Sequence, residues 1–126
     1  MLEMIDLKKI FGPLNLVEKR PGVYKVLVTF FHEDGDMYDI FVEECPDNAE
    51  KVLISDYGLT IMKLSCCSDI DAEDKLQAVE SIVNQNHCHF DHGTISIVVD
   101  PQQCEYGIMQ LIQSVYEVSA AAYDEK

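Results

Sequence analysis

A chain of 126 residues with 48% apolar content and a net charge of −14 is long enough to bury one sizeable core and is expected to fold as a single domain, residues 1–126. That composition excludes a mainly disordered chain, and no run approaches the eighteen or so uncharged apolar residues that a membrane span needs. The acid-bearing start Met1-Leu2-Glu3-Met4-Ile5-Asp6 lacks the basic opening of a signal peptide, so a cytoplasmic location is expected.

The charge is uneven. Residues 1–25 hold five basic groups against three acidic ones, which leaves four basic and twenty acidic groups, a charge of −16, for residues 26–126. Such a field repels phosphate backbones and anionic membrane surfaces, and makes a basic protein surface the expected partner. Plain solubility is the competing explanation. Five cysteines, Cys45, Cys66, Cys67, Cys88 and Cys104, are odd in number and form no Cys-x-x-Cys pair. They read as reduced, mostly buried thiols rather than a disulfide framework.

In chain order, Met4, Leu7 and Phe11 recur at helical spacing and Gly12-Pro13 stops the run, which predicts a helix over Met1 to Phe11. Leu14 to Pro21 shows no clear period and reads as a connection. Two β-hairpins are predicted next. The first joins Val23 to Phe31 with Met37 to Glu43 through the turn Glu33-Asp34-Gly35-Asp36. Its first strand is apolar on both faces around Val26 to Phe31, as a central strand covered on both sides would be. The second hairpin joins Val52 to Ser55 with Leu59 to Leu64 through Asp56-Tyr57-Gly58.

Asp71-Ala72-Glu73-Asp74 then opens a helix, with Asp71 as the N-cap and Leu76, Val79, Ile82 and Val83 as the buried stripe. A third hairpin pairs His87 to Asp91 with Thr94 to Val99 across His92-Gly93. Asp100-Pro101 supplies a cap followed by proline at the first helical position. In the last helix Cys104, Ile108, Leu111, Val115, Val118 and Ala122 alternate spacings of four and three. Met109, Ile112 and Tyr116 widen that apolar face beyond what packing on one sheet requires, so part of it can meet a second subunit.

Three clusters invite a chemical reading. In His87-Cys88-His89-Phe90-Asp91-His92, a strand would place His87, His89 and Asp91 on one face, two residues apart, with donors suited to zinc or another divalent ion. A polar outer face with Cys88 and Phe90 inward explains the same alternation, and a fourth ligand would have to come from His32, Cys66 or Cys67. Adjacent Cys66-Cys67 could act as a redox pair or nucleophile, but Asp69, Asp71, Glu73 and Asp74 oppose thiolate formation there. Glu33, Asp34, Asp36 and Asp39 lack the order and closing glutamate of a calcium loop, and turn chemistry accounts for them. Tyr57, at a turn tip, is an aromatic of the kind enriched at interfaces.

The run Thr29-Phe30-Phe31-His32-Glu33-Asp34-Gly35-Asp36-Met37-Tyr38-Asp39-Ile40-Phe41-Val42-Glu43, followed by Leu53-Ile54-Ser55-Asp56-Tyr57-Gly58-Leu59-Thr60, resembles the bacterial and phage domain-of-unknown-function family 1828. The resemblance covers about residues 22–100. It implies a prokaryotic or phage origin and a mobile-element setting, and it brings no catalytic residues.

The expected architecture is α+β: a twisted antiparallel sheet in the order α-ββββ-α-ββ-α with helices on one face. The expected function is a non-enzymatic acidic interaction or regulatory module without a cofactor, whose rim residues Asp34, Asp36, Asp56 and Tyr57 meet a basic protein surface. Inhibition of a host defence system by charge mimicry of nucleic acid would use such a rim. The alternatives are a small metal- or thiol-dependent enzyme built on His87 to His92, with His87, His89 and Asp91 as ligands, and a structural homodimer through the C-terminal helix.

Overall fold

The computed structural model describes residues 16–32, 35–66, 70 and 72–123. The helix expected over residues 1–11, the turn residues Glu33 and Asp34, Cys67 and the cap residue Asp71 lie outside the described residues. Within them the chain runs β1 (Leu16–Arg20), β2 (Val23–Val26), β3 (Ile40–Cys45), β4 (Asn48–Ser55), α1 (Leu59–Leu64), α2 (Glu73–Gln85), β5 (His89–Asp91) and β6 (Thr94–Val99). One 3-10 turn, Pro101–Gln103, then leads into α3 (Cys104–Tyr123). The six strands form one antiparallel sheet ordered β1-β2-β3-β4-β6-β5. The class is α+β, as the sequence implied.

Register follows from which side chains must be dry. Val26 faces Ile40, Tyr24 faces Val42, Val42 faces Ile54, Ile54 faces Ile97, and Val52 faces Val99. All of these residues are buried, and because side chains alternate along a strand they lie on one face. Helix α3 covers that face with Cys104, Ile108, Leu111, Val115, Val118 and Ala122, the stripe read from the sequence. Val79 and Val83 of α2 complete the core, with Leu76 and Ile82 partly buried against it. Each fully buried aliphatic of this set contributes about 1.5–3 kcal/mol relative to exposure. The helix sits close to the sheet at Gly107, where a Cβ would lie 2.6 Å from Ile54 Cδ1 and 3.2 Å from Val99 Cγ1. The opposite sheet face, with Lys25, Phe41, Glu43, Leu53 and Val98, is only partly shielded.

The elements differ from the expected ones in four places. Residues 16–20, read as a connection, form edge strand β1. The long first strand stops at Val26, and an isolated bridge between Phe31 and Met37 resumes the pairing, so residues 27–30 stand opposite only Tyr38 and Asp39. The reason is that, among the described residues, only one face of the sheet is covered. A run apolar on both sides leaves the ladder, and residues 26–30 line a groove against α3 instead.

Leu59–Leu64 is helix α1, not a strand. The turn before it is as read, with Tyr57 at φ 53°, Gly58 at φ 76° and the Leu59 N–H donating to Asp56 O at 3.0 Å. The strand position beside β4 is occupied by β6, and Thr60, Ile61 and Leu64 are buried at helical spacing. Finally, α2 begins with Ala72 at its N-cap position, one residue later than expected. No described helix is long and apolar enough to cross a membrane.

Candidate functional site

The accessible face of the sheet carries a chain of contacts that starts at the turn between β4 and α1. Tyr57 is held in left-handed backbone, which swings its ring over β3. There it meets Phe41 with ring centroids 4.8 Å apart, and its hydroxyl donates to Glu43 Oε2. Arg20, from β1, lies over the same ring at 5.6 Å and donates to the hydroxyl at 3.4 Å. Burial pushes the Tyr57 phenol up to about 12, the Glu43 carboxylate adds to the rise, and Arg20 opposes it. The ring therefore stays neutral across physiological pH and works as a hydrogen-bonding platform.

Lys25 continues the row. Its ammonium lies 5.9 Å from the Phe41 ring centre and pairs with Asp39 at 3.1 Å. Beyond it opens a groove of about 740 Å³ lined by Lys25, Asp36, Met37, Asp39, Leu59, Met62, Lys63 and Cys66. Lys63 pairs with Asp36 at 2.5 Å across this groove. Asp36 and Asp39 thus serve two lysines, a role beyond the turn chemistry expected of them.

Of the four rim residues expected to meet a partner, Asp36 and Tyr57 are exposed, and Asp34 lies outside the described residues. Asp56 is a correction: its side chain is fully buried. Its Oδ1 accepts from the Gly58 N–H at 2.8 Å and the Ile95 N–H at 3.0 Å, tying the turn to β6. Burial raises the carboxyl above its ordinary value, while those two N–H groups and Thr60 act against the rise. A carboxylate so placed holds the fold and offers nothing to a partner. Sequence reasoning missed the acidic turn between β3 and β4, where Glu43, Glu44 and Asp47 line a second recess with Pro21 and Gly22. The signal was present in Glu43-Glu44-Cys45-Pro46-Asp47-Asn48-Ala49-Glu50, four acids in eight residues around a turn.

The histidine segment also differs from its expected geometry. His87 is not on a strand but in left-handed backbone, φ 64°, just past α2. Its N–H donates to Asn84 O at 3.1 Å, and the Cys88 N–H donates to Val83 O at 3.1 Å. That double closure is a Schellman motif, in which His87 takes the position usually given to glycine. His89 and Asp91 remain on β5, and Asp91 pairs with His92 at 2.8 Å, both side chains largely exposed. Among the described residues no three His, Cys, Asp or Glu side chains converge into a metal-holding group. His32 is buried against Tyr38, with ring centres 4.6 Å apart.

The thiols divide by burial. Cys45, Cys88 and Cys104 are buried, and Cys66 is exposed at the end of α1 with its Sγ 3.5 Å from Met62 O. Burial pushes the Cys104 thiol up to about 11 and raises Cys88, against a smaller opposing effect of Ser114. Neither is poised as a thiolate.

A six-stranded antiparallel sheet backed by helices, with its surface chemistry on the uncovered face, defines an α+β domain. This chain belongs to the family described as domain of unknown function DUF1828, whose model matches residues 28–118. The match reaches further toward the C-terminus than the stretch that carried the resemblance, and takes in most of α3. Compared with curated proteins and with solved structures, the chain shows no significant match.

Proposed function

We propose that this protein is an acidic interaction module of prokaryotic or phage origin that works in the cytoplasm by binding a basic surface on another protein, without catalysis of its own. The observation that carries this reading is the net charge of −14. It is supported by the way the few cations are used. Lys25, Lys51 and Lys63 are each engaged by an aspartate, Asp39, Asp100 and Asp36 respectively, so they do not cancel the remaining carboxylates. Glu18, Asp47, Glu50, Glu73, Asp74, Glu80 and Asp91 are exposed. A polyanionic surface of this kind attracts proteins built to hold nucleic acid, so charge mimicry is the mode of inhibition it suits.

The contact region we assign runs from the Tyr57 platform past Glu43 and Glu44 to Asp47. There an aromatic anchor lies beside carboxylates, a combination suited to lysine- and arginine-rich partners. Capture of partners from a host lysate at graded salt tests the reading. Retention is expected at low ionic strength, with progressive release as salt rises, and it should weaken in a Glu43→Gln, Glu44→Gln, Asp47→Asn variant. Capture that is indifferent to both salt and the variant would remove the electrostatic basis.

A further inference from the structure

Helix α3 has two seams. The inner one packs on the sheet. On the other side Tyr106, Met109, Gln113, Tyr116 and Ala120 are exposed, and they follow one another at spacings of three, four, three and four. That is the interval at which one helix presents a continuous stripe to another helix, about 21 Å long here. Tyr106, Met109 and Tyr116 are 46%, 51% and 58% exposed. Leu27 and Phe30 extend the apolar surface, since they line one groove with Met109, Ile108 and Ile112. Phe30 stacks on Tyr38 at 6.2 Å. Exposed Phe31 follows Phe30 in the chain, and apolar surface gathered in this way marks an interaction site.

Charge decides what fits it. None of the five seam residues is charged, in a protein of net charge −14. Beside the seam stand Glu105 and Glu117, and Glu117 is turned aside: its Oε1 accepts from Asn86 at 3.1 Å and its Oε2 from Gln113 at 2.5 Å. Glu105 is exposed and lines the groove beside Ile108 and Met109, so charge stays at the margin of the seam. Two copies of so acidic a chain approach most readily across the uncharged strip itself.

An antiparallel pairing centred on Gln113 sets Tyr106 against Ala120, large against small, and Tyr116 against Gln110. It also places Glu105 against Ala121 and Glu117 against Met109, so like charges do not meet, whereas a parallel pairing would align each glutamate with its own copy. We infer that the outer seam of α3 is a homodimer interface, two chains packing α3 on α3 about a two-fold axis at Gln113. The two sheets then lie outermost, and each displays its Tyr57 face. The inference stands apart from the acidic-surface reading, because seam contacts of this kind survive salt that screens carboxylates.

Analytical ultracentrifugation of the full chain over a range of concentrations is the test, with two variants. The parent protein is expected to sediment as a dimer. Met109→Glu with Tyr116→Glu should give a monomer with unchanged circular dichroism. Gln113→Cys, which introduces no charge, should form an intermolecular disulfide on mild oxidation that the parent does not form, because only residues at the axis face their own copies. A parent that is monomeric throughout overturns the inference and gives the seam to a different protein. A dimer that persists while the Gln113→Cys thiol stays reduced also overturns it, by placing the interface elsewhere.

Discussion

Asp56 shows how one residue type can mislead in one dimension and explain itself in three. The Asp-Tyr-Gly triplet signals a turn, and a turn aspartate is normally wet. Here the strand that closes over the turn is β6, some forty residues later in the chain, and the carboxylate becomes the acceptor for two backbone N–H groups. No local pattern announces that closure. The raised pKa has a definite sign: the folded chain holds this proton to higher pH than the unfolded chain does. Between the ordinary carboxylate value and the raised one the folded state therefore binds more protons, and the contribution of Asp56 to stability falls as pH rises through that window. Asp56→Asn keeps an acceptor for Gly58 and Ile95 without a titrating charge. Its Tm relative to the parent should climb from acid to neutral pH, and a difference flat with pH would contradict the assignment. Asp56→Ala strands both donors and should cost about 2–3 kcal/mol in denaturant titration.

At the scale of elements, the two long helices α2 and α3 were legible, the short α1 was read as a strand, and the strands were only partly legible. Helix α3 was readable because its inner stripe repeats over twenty residues, and α2 because its periodic apolar positions are bounded by acids and Asn-Gln-Asn. The hairpin turn at His92-Gly93 was readable from turn chemistry. What failed was tertiary: which strand lies beside β4, and how far a doubly apolar run can stay in a sheet covered on one face. The histidine segment failed by two residues, since the end of α2 consumes His87 before β5 begins. That assignment makes a prediction opposite to the metal-ligand reading. A non-glycine residue at φ 64° is strained, so His87→Gly should stabilise the protein by about 0.5–1 kcal/mol in urea unfolding. Destabilisation by this substitution would show that the imidazole holds something the cap geometry does not account for.

The molecule as a whole is governed by its charge. The pairs Lys51–Asp100 and Lys63–Asp36 each join a half-buried lysine to an exposed aspartate and are worth little, whereas the self-repulsion of a net −14 acts on every conformation that brings the carboxylates together. Added salt screens both, and the repulsion is the larger effect. The Tm should therefore rise as sodium chloride goes from low millimolar to about 0.15 M, where the screening length is about 8 Å. A falling Tm would mean that the ion pairs dominate. Among the described residues, the ends of the sheet carry a further consequence. One is β5, only three residues long with His89 and Asp91 exposed, and the other is β1, where Glu18, Lys19 and Arg20 are exposed in succession. A borrowed strand finds too few backbone groups at the first edge and a charged fringe at the second. At high concentration the protein is thus guarded against growth into fibres by edge-to-edge pairing.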